Sequence, residues 1–224
     1  LSLKLDRTGL QFTKKWFRDR NQGTFSEYVH PKFEGLPITY LEIGVFEGMS
    51  MCWMIQHILT HPDSKAVGVD PWLGMKKLNS EEMEKVQGRA FHNVATKLSS
   101  RQIASVRESH KLVSSKCSLF RLDSDEFLTH SEHYAGITKE SVDIIMIDGN
   151  HSAPFVANDA IKAFPLLKPE GWLLFDDVEN DHKKTYHVKD GIQMFLNHLK
   201  SQGKLLTLQL IWKHGYMECF EKLE

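Results

Sequence analysis

The sequence predicts an α/β fold, a doubly wound and mostly parallel sheet that ends in an antiparallel β-hairpin. Three observations predict it. Short, wholly apolar runs such as residues 142–147 recur along the chain, the mark of strands buried on both faces. Between them lie stretches with an apolar residue every three or four positions, the helical period. Near the end, two runs flank Lys213-His214-Gly215, a hairpin signature. Five β/α units followed by that hairpin amount to a seven-stranded sheet.

Taken in order, residues 1–37 are polar with scattered aromatics (Phe12, Trp16, Phe17, Phe25, Tyr28, Phe33) and close on Gly35 and Pro37. They read as a helical extension or acceptor-site cover ahead of a main domain at 38–224. Residues 38–43 form the first strand, stopped by Gly44, and residues 49–59 a helix that stops near Pro62. Residues 66–69 are the second strand, and residues 80–98 a helix carrying Met83, Val86, Ala90, Val94 and Leu98 on one face. Strands follow at 118–122, 142–147 and 171–175, with helices at 154–167 and 188–201. Residues 205–212 and 216–222 make the hairpin. The stretch 99–116 carries no motif.

Composition narrows the function. Lys plus Arg number 28 against 29 for Asp plus Glu, a net charge of -1, which lacks the basic footprint of a nucleic-acid binder. No apolar run reaches the roughly 18 residues that span a membrane. Cys52, Cys117 and Cys219 are odd in number and far apart, which argues against a disulfide framework and suggests core packing in a reducing, cytoplasmic setting. The expected partner is a small molecule, and nothing in the sequence opposes a homo-oligomer.

In open α/β sheets ligands bind beyond the carboxyl ends of the strands. The first such end reads Leu41-Glu42-Ile43-Gly44-Val45-Phe46-Glu47-Gly48-Met49-Ser50. Gly44 and Gly48 permit a tight turn and close backbone approach. The helix that follows offers unpaired amides to an anionic group, with Ser50 adding a hydroxyl, and Glu42 joins this cofactor-binding set. Phe46 stands where a pyrophosphate-binding turn needs a glycine, which argues against a nicotinamide or flavin dinucleotide. Asp70 is placed to accept a ribose diol, Trp72 to pack on the adenine or ribose, and Asp123 with Ser124 to bracket the adenine edge.

LEIGVFEGMS, VGVDPW and IDGNHSAPFVANDAIKAFPLLKPEGWLLFDDV together resemble the class I methyltransferases of the small O-methyltransferase group. That group includes macrocin-type sugar O-methyltransferases and cephalosporin-hydroxylase-like proteins. The likeness covers roughly residues 38–178, with Glu170-Gly171 where the family commonly has two glycines. It implies a Rossmann-like fold, S-adenosylmethionine as methyl donor and a hydroxyl on a small molecule as acceptor.

Asp148 ends the fourth strand, and Asp176 and Asp177 end the fifth. Neighbouring strands lie about 4.8 Å apart, so these three carboxylates could share a hard cation, Mg²⁺ by default. Their alternative is helix capping and exposure to solvent. The resemblance favours the metal. His151, three residues after Asp148, is suited to accept a hydroxyl proton, the role that the resemblance implies, or else caps the next helix. His57 and His61 have helical metal-pair spacing without a third ligand, and His182 and His187 fall in a loop near the expected acceptor. Lys76 with Lys77, and Glu81, Glu82 and Glu84, read as surface charge. The competing functions are a non-catalytic adenosylmethionine-binding protein, a metal-independent N-methyltransferase and, less favoured by Phe46, a nicotinamide-dependent oxidoreductase.

Overall fold

A computed structural model describes residues 2–73, 78–179 and 187–223; Lys76, Lys77 and His182 lie outside them. The chain forms two compact units, one of residues 1–38 and 45–123, the other of residues 39–44 and 124–224.

In the first unit the N-terminal segment carries α1 (Trp16–Arg20), α2 (Gln22–Thr24), one π-helical turn (Phe25–Val29) and α3 (His30–Phe33). Their aromatic side chains explain why this polar stretch folds. Phe25 meets Phe17 edge-on at 5.0 Å and Trp53 edge-on at 5.6 Å, and Phe25 and Trp53 are fully buried. Trp53 sits on helix α4 (Met49–His57), which is apolar on nearly every side and correspondingly buried. Helix α5 (Ser80–Ser99) opens with a capping box, in which Asn79 accepts from the Glu82 N–H while the Glu82 carboxylate accepts from the Asn79 N–H. With β2 (Lys65–Val69), this unit holds β3 (Ser105–Arg107), β4 (Lys111–Ser114) and β5 (Cys117–Phe120), in the order β3-β4-β5-β2. β2 and β5 are parallel, and the other pairs antiparallel.

The second unit contains β1 (Thr39–Ile43), α6 (Ser124–Thr129), α7 (Ser131–Ala135), β6 (Val142–Ile147), α8 (Ala153–Ala163), β7 (Leu167–Phe175), α9 (Val188–Ser201), β8 (Leu208–His214) and β9 (Met217–Lys222). Its strand order is β1-β6-β7-β9-β8, parallel from β1 to β7 and antiparallel through the terminal hairpin. β6 is the expected buried strand. Its polar residue, Asp143, accepts two bonds of 2.9 Å from Lys168 Nζ and one of 2.7 Å from the Thr39 N–H, so its charge is paired. Phe175 of β7 packs edge-on against Phe220 of β9 at 5.8 Å and, with tilted rings, against Phe195 of α9 at 6.3 Å.

The described residues thus contain nine strands rather than the expected seven. The added pair, β3 and β4, comes from the stretch without a motif. Within β3 and β4 only Leu112 is buried, while the cross-strand partners Val106 and Val113 are exposed, so no continuous apolar run marks the pair. The fifth expected strand begins earlier, at Leu167, and the third ends at Phe120. All three cysteines are buried thiols. Among the described residues no helix is long and apolar enough to cross a membrane.

Candidate functional site

The parallel strands of the second unit bring the expected reaction residues to one rim. Asp148 follows β6 and its N–H donates to the Ile43 carbonyl at 2.8 Å. Gly44, at φ 91°, leaves β1 beside it, and a Cβ there would lie 2.1 Å from the Asp148 carbonyl oxygen. The close approach that Gly44 permits is therefore to the chain's own backbone at Asp148 and Gly149.

Asp148, His151 and Asp177 form the one group of potential metal ligands among the described residues, with donor atoms all within 4.8 Å of one another. His151 Nε2 lies 3.4 Å from Asp148 Oδ1, and Nδ1 lies 3.3 Å from Asp177 Oδ2. All three are partly buried, which strengthens their mutual interaction relative to open solvent. The His151 carbonyl accepts from the His187 N–H at 2.9 Å, tying the start of α9 to the same loop. Asp177 reaches inward from a left-handed backbone, φ 59°, a conformation disfavoured for a residue with a Cβ. Such strain at a rim of convergent polar groups is a mark of functional sites.

Asp176, read from the sequence beside Asp148 and Asp177, is not in this group. It is buried, and its Oδ1 accepts the Asp177 N–H at 2.7 Å. The sequence missed its neighbourhood. Glu42 is fully buried on β1, and its Oε2 accepts the Tyr40 hydroxyl at 3.0 Å. Burial, then the Glu42 carboxylate, then the more distant Asp148 and Asp176, hold that hydroxyl well above the ordinary tyrosine range, so it stays a donor. The i, i+2 spacing of Tyr40 and Glu42 on one strand face was the available signal.

In the first unit, the glycine turn is held by the two residues expected to meet a nucleoside. Phe46, at φ 50°, donates its N–H to Asp70 Oδ2 at 2.9 Å, and its carbonyl accepts from Trp72 Nε1 at 2.9 Å. Asp70 Oδ1 accepts the Trp72 N–H at 2.7 Å. Burial pushes the Asp70 carboxyl up, and the N–H groups of Phe46, Trp72 and Val45 pull it back in part. Trp72 is buried and meets Phe91 edge-on at 5.6 Å, so its ring serves packing and braces the turn. Gly48, at φ 74°, caps α4 and lies under α5, where an added Cβ would stand 3.4 Å from Val94. Ser50 is buried on the first turn of α4. Asp123 is exposed at the end of this unit's last segment. Ser124 opens the second unit, and its Oγ donates to the buried Asp159 on α8 at 2.7 Å.

Among the described residues the remaining histidines join no group of potential metal ligands. His57 Nε2 is 3.1 Å from the Lys4 carbonyl and its ring packs on Trp53 at 4.8 Å, while His187 pairs with Asp190 at 3.3 Å.

Comparison with known proteins gives the fold a context. A family model described as "Methyltransferase domain" matches residues 41–178. No curated protein matches the sequence. Among solved structures, the O-methyltransferase TomG of Streptomyces achromogenes, solved with SAM, is 16% identical at a TM-score of 0.52, over 83% of this chain and 73% of that one. An O-methyltransferase of Bacillus cereus, solved with SAH, is 14% identical at a TM-score of 0.52, over 82% and 74%. The MycE methyltransferase of the mycinamycin pathway, solved with Mg and SAH, is 18% identical at a TM-score of 0.55, over 89% of this chain. The chain spans about half, 49%, of the MycE chain. At these identities the likeness is one of fold.

Proposed function

The chain belongs to the methyltransferase-domain family, and we propose that it moves the methyl group of S-adenosylmethionine to a hydroxyl of a small molecule. The observation that carries this reading is His151 held between Asp148 and Asp177.

In the first unit, the proposed donor-binding residues are Gly48 and Ser50 at the start of α4, Asp70 for the ribose hydroxyls, Trp72 as the brace of the turn, and Asp123. The acceptor oxygen gives its proton to His151. Its lone pair attacks the sulfonium methyl carbon in line, the carbon–sulfur bond breaks, and a methyl ether and S-adenosylhomocysteine leave. The imidazolium formed at His151 then lies between two carboxylates, which offset its charge. Alignment of the two substrates supplies much of the remaining acceleration.

Two carboxylates and an imidazole within 4.8 Å of one another also fit a divalent cation, and Asp148 and Asp177 would hold it. Such a cation would acidify the acceptor hydroxyl when bound. Asp176, turned to the Asp177 N–H, would act behind these ligands.

Residues 1–37 would serve as an acceptor cover. The exposed Trp16 ring, 5.0 Å from Phe46 in the glycine turn, supports a partly apolar acceptor. Buried thiols agree with a reducing, cytoplasmic setting.

Transfer of labelled methyl to a panel of hydroxyl compounds, with and without chelator, tests this reading. His151→Gln should lower turnover by roughly 10²–10⁴ with donor affinity kept. Near-normal turnover in that variant would remove His151 from the reaction, and activity surviving exhaustive chelation would remove the cation.

A further inference from the structure

Residues 9–14 run outside any helix or strand, yet side chains of the glycine turn and of α5 grip them along their length. Glu47, between Phe46 and Gly48, is 2% exposed, and a carboxylate so buried is unfavourable unless it is fully paired. Its Oε2 accepts the N–H of Thr13 at 2.7 Å and of Lys14 at 3.3 Å. Its Oε1 accepts the Thr13 hydroxyl at 2.7 Å and Arg89 Nε of α5 at 2.6 Å. Two successive backbone amides on one carboxylate make a small anion nest.

Asn93, fully buried on α5, grips the same segment a second time. Its Oδ1 accepts the Gln11 N–H at 2.6 Å and its Nδ2 donates to the Gln11 carbonyl at 2.8 Å, as a neighbouring strand would. The same Nδ2 donates to the Glu47 carbonyl at 3.0 Å. His92 and the Gly9 carbonyl, 2.9 Å apart, extend the contact. Glu47 is thus fixed at both its carboxylate and its backbone, between two residues in left-handed conformations, Phe46 at φ 50° and Gly48 at φ 74°. Glu47 is where the N-terminal segment, the turn and α5 meet.

We propose that Glu47 is a positioning residue that latches residues 9–14 onto the glycine turn, so that order in this strap and affinity for the methyl donor are coupled. The proposal rests on the reading of the turn as donor-binding. If the first amides of α4 and Ser50 receive the donor, they do so in the conformation that the latch holds on the preceding turn. Coupling between sites is reciprocal, so donor binding must protect the strap and release of the strap must weaken the donor by the same factor.

Amide hydrogen exchange by NMR, with S-adenosylmethionine titrations of wild type, Glu47→Gln and Thr13→Val, tests the latch. Glu47→Gln should weaken donor binding by about tenfold and speed exchange at Thr13 and Lys14, because an amide cannot accept from all four donors. Thr13→Val removes one hydroxyl donor, should cost about threefold, and remains informative if Glu47→Gln fails to fold. In wild type the donor should slow exchange at Thr13 and Lys14, an effect that a purely structural role would not produce. Donor affinity within twofold of wild type in both variants, or strap amides indifferent to the donor, would overturn the proposal. A wild type that binds no S-adenosylmethionine would sink the functional reading separately. The latch would then be read from the Phe46 and Gly48 amides of the variants, faster exchange upholding it and unchanged exchange overturning it.

Discussion

Asp177 Oδ2 lies 3.3 Å from His151 Nδ1, and it reaches that place from a backbone φ of 59°. An extended residue after β7 would continue the strand direction. The left-handed turn instead sends the Asp177 and Asp176 side chains to different partners. The cost of that conformation for a non-glycine residue is about 1–2 kcal/mol.

Asp177→Gly should therefore separate stability from function. Glycine accepts the left-handed conformation, so thermal unfolding should show a variant as stable as wild type or more stable by up to about 1 kcal/mol. Methyl transfer should fall sharply in the same preparation. A variant destabilised by more than about 2 kcal/mol would make Asp177 a structural residue.

Gly44→Ala should damage the fold of the second unit. Its Cβ would stand 2.1 Å from the Asp148 carbonyl oxygen, at φ 91°. Overpacking against backbone, added to the unfavourable φ, should cost roughly 2–4 kcal/mol in urea unfolding. A loss below about 0.5 kcal/mol would mean that the Gly44 and Asp148 backbones are free to separate.

Asp70 should give stability and donor affinity opposite slopes with pH. Burial lifts its carboxyl above the unperturbed 3.8, so the folded chain keeps this proton to higher pH than the unfolded chain does. The stabilising contribution is complete below 3.8 and is lost as pH rises through the lifted value. Donor affinity should rise over the same window, because the ionised carboxylate accepts ribose hydroxyls. Urea midpoints and donor titrations across the acid range check both slopes, and Asp70→Asn should flatten them. Parallel slopes in wild type would remove Asp70 from the donor site.

What the sequence revealed follows from which forces leave a local pattern. β6 is wholly apolar for most of its length because both its faces are covered, and Asp148 at its end was legible for that reason. The hairpin around residues 213–215 was legible from its turn. β3 and β4 were not, because half their side chains face water. Asp176 and Asp177 looked equivalent as neighbours at a strand end, since nothing local announces a left-handed φ at Asp177. Glu47 stood inside the glycine motif, but its partners Thr13 and Arg89 lie 34 and 42 residues away, beyond any local pattern. Asn93 and Gln11, 82 residues apart, were hidden in the same way.

Titration calorimetry of S-adenosylmethionine, into wild type and Asp70→Ala with NAD as competitor, tests the functional reading most directly. Wild type should bind the donor at a single saturable site that NAD does not compete for. Asp70→Ala should bind it at least about tenfold more weakly, a difference of roughly 1.4 kcal/mol. Tight binding of NAD with no response to S-adenosylmethionine would contradict the reading.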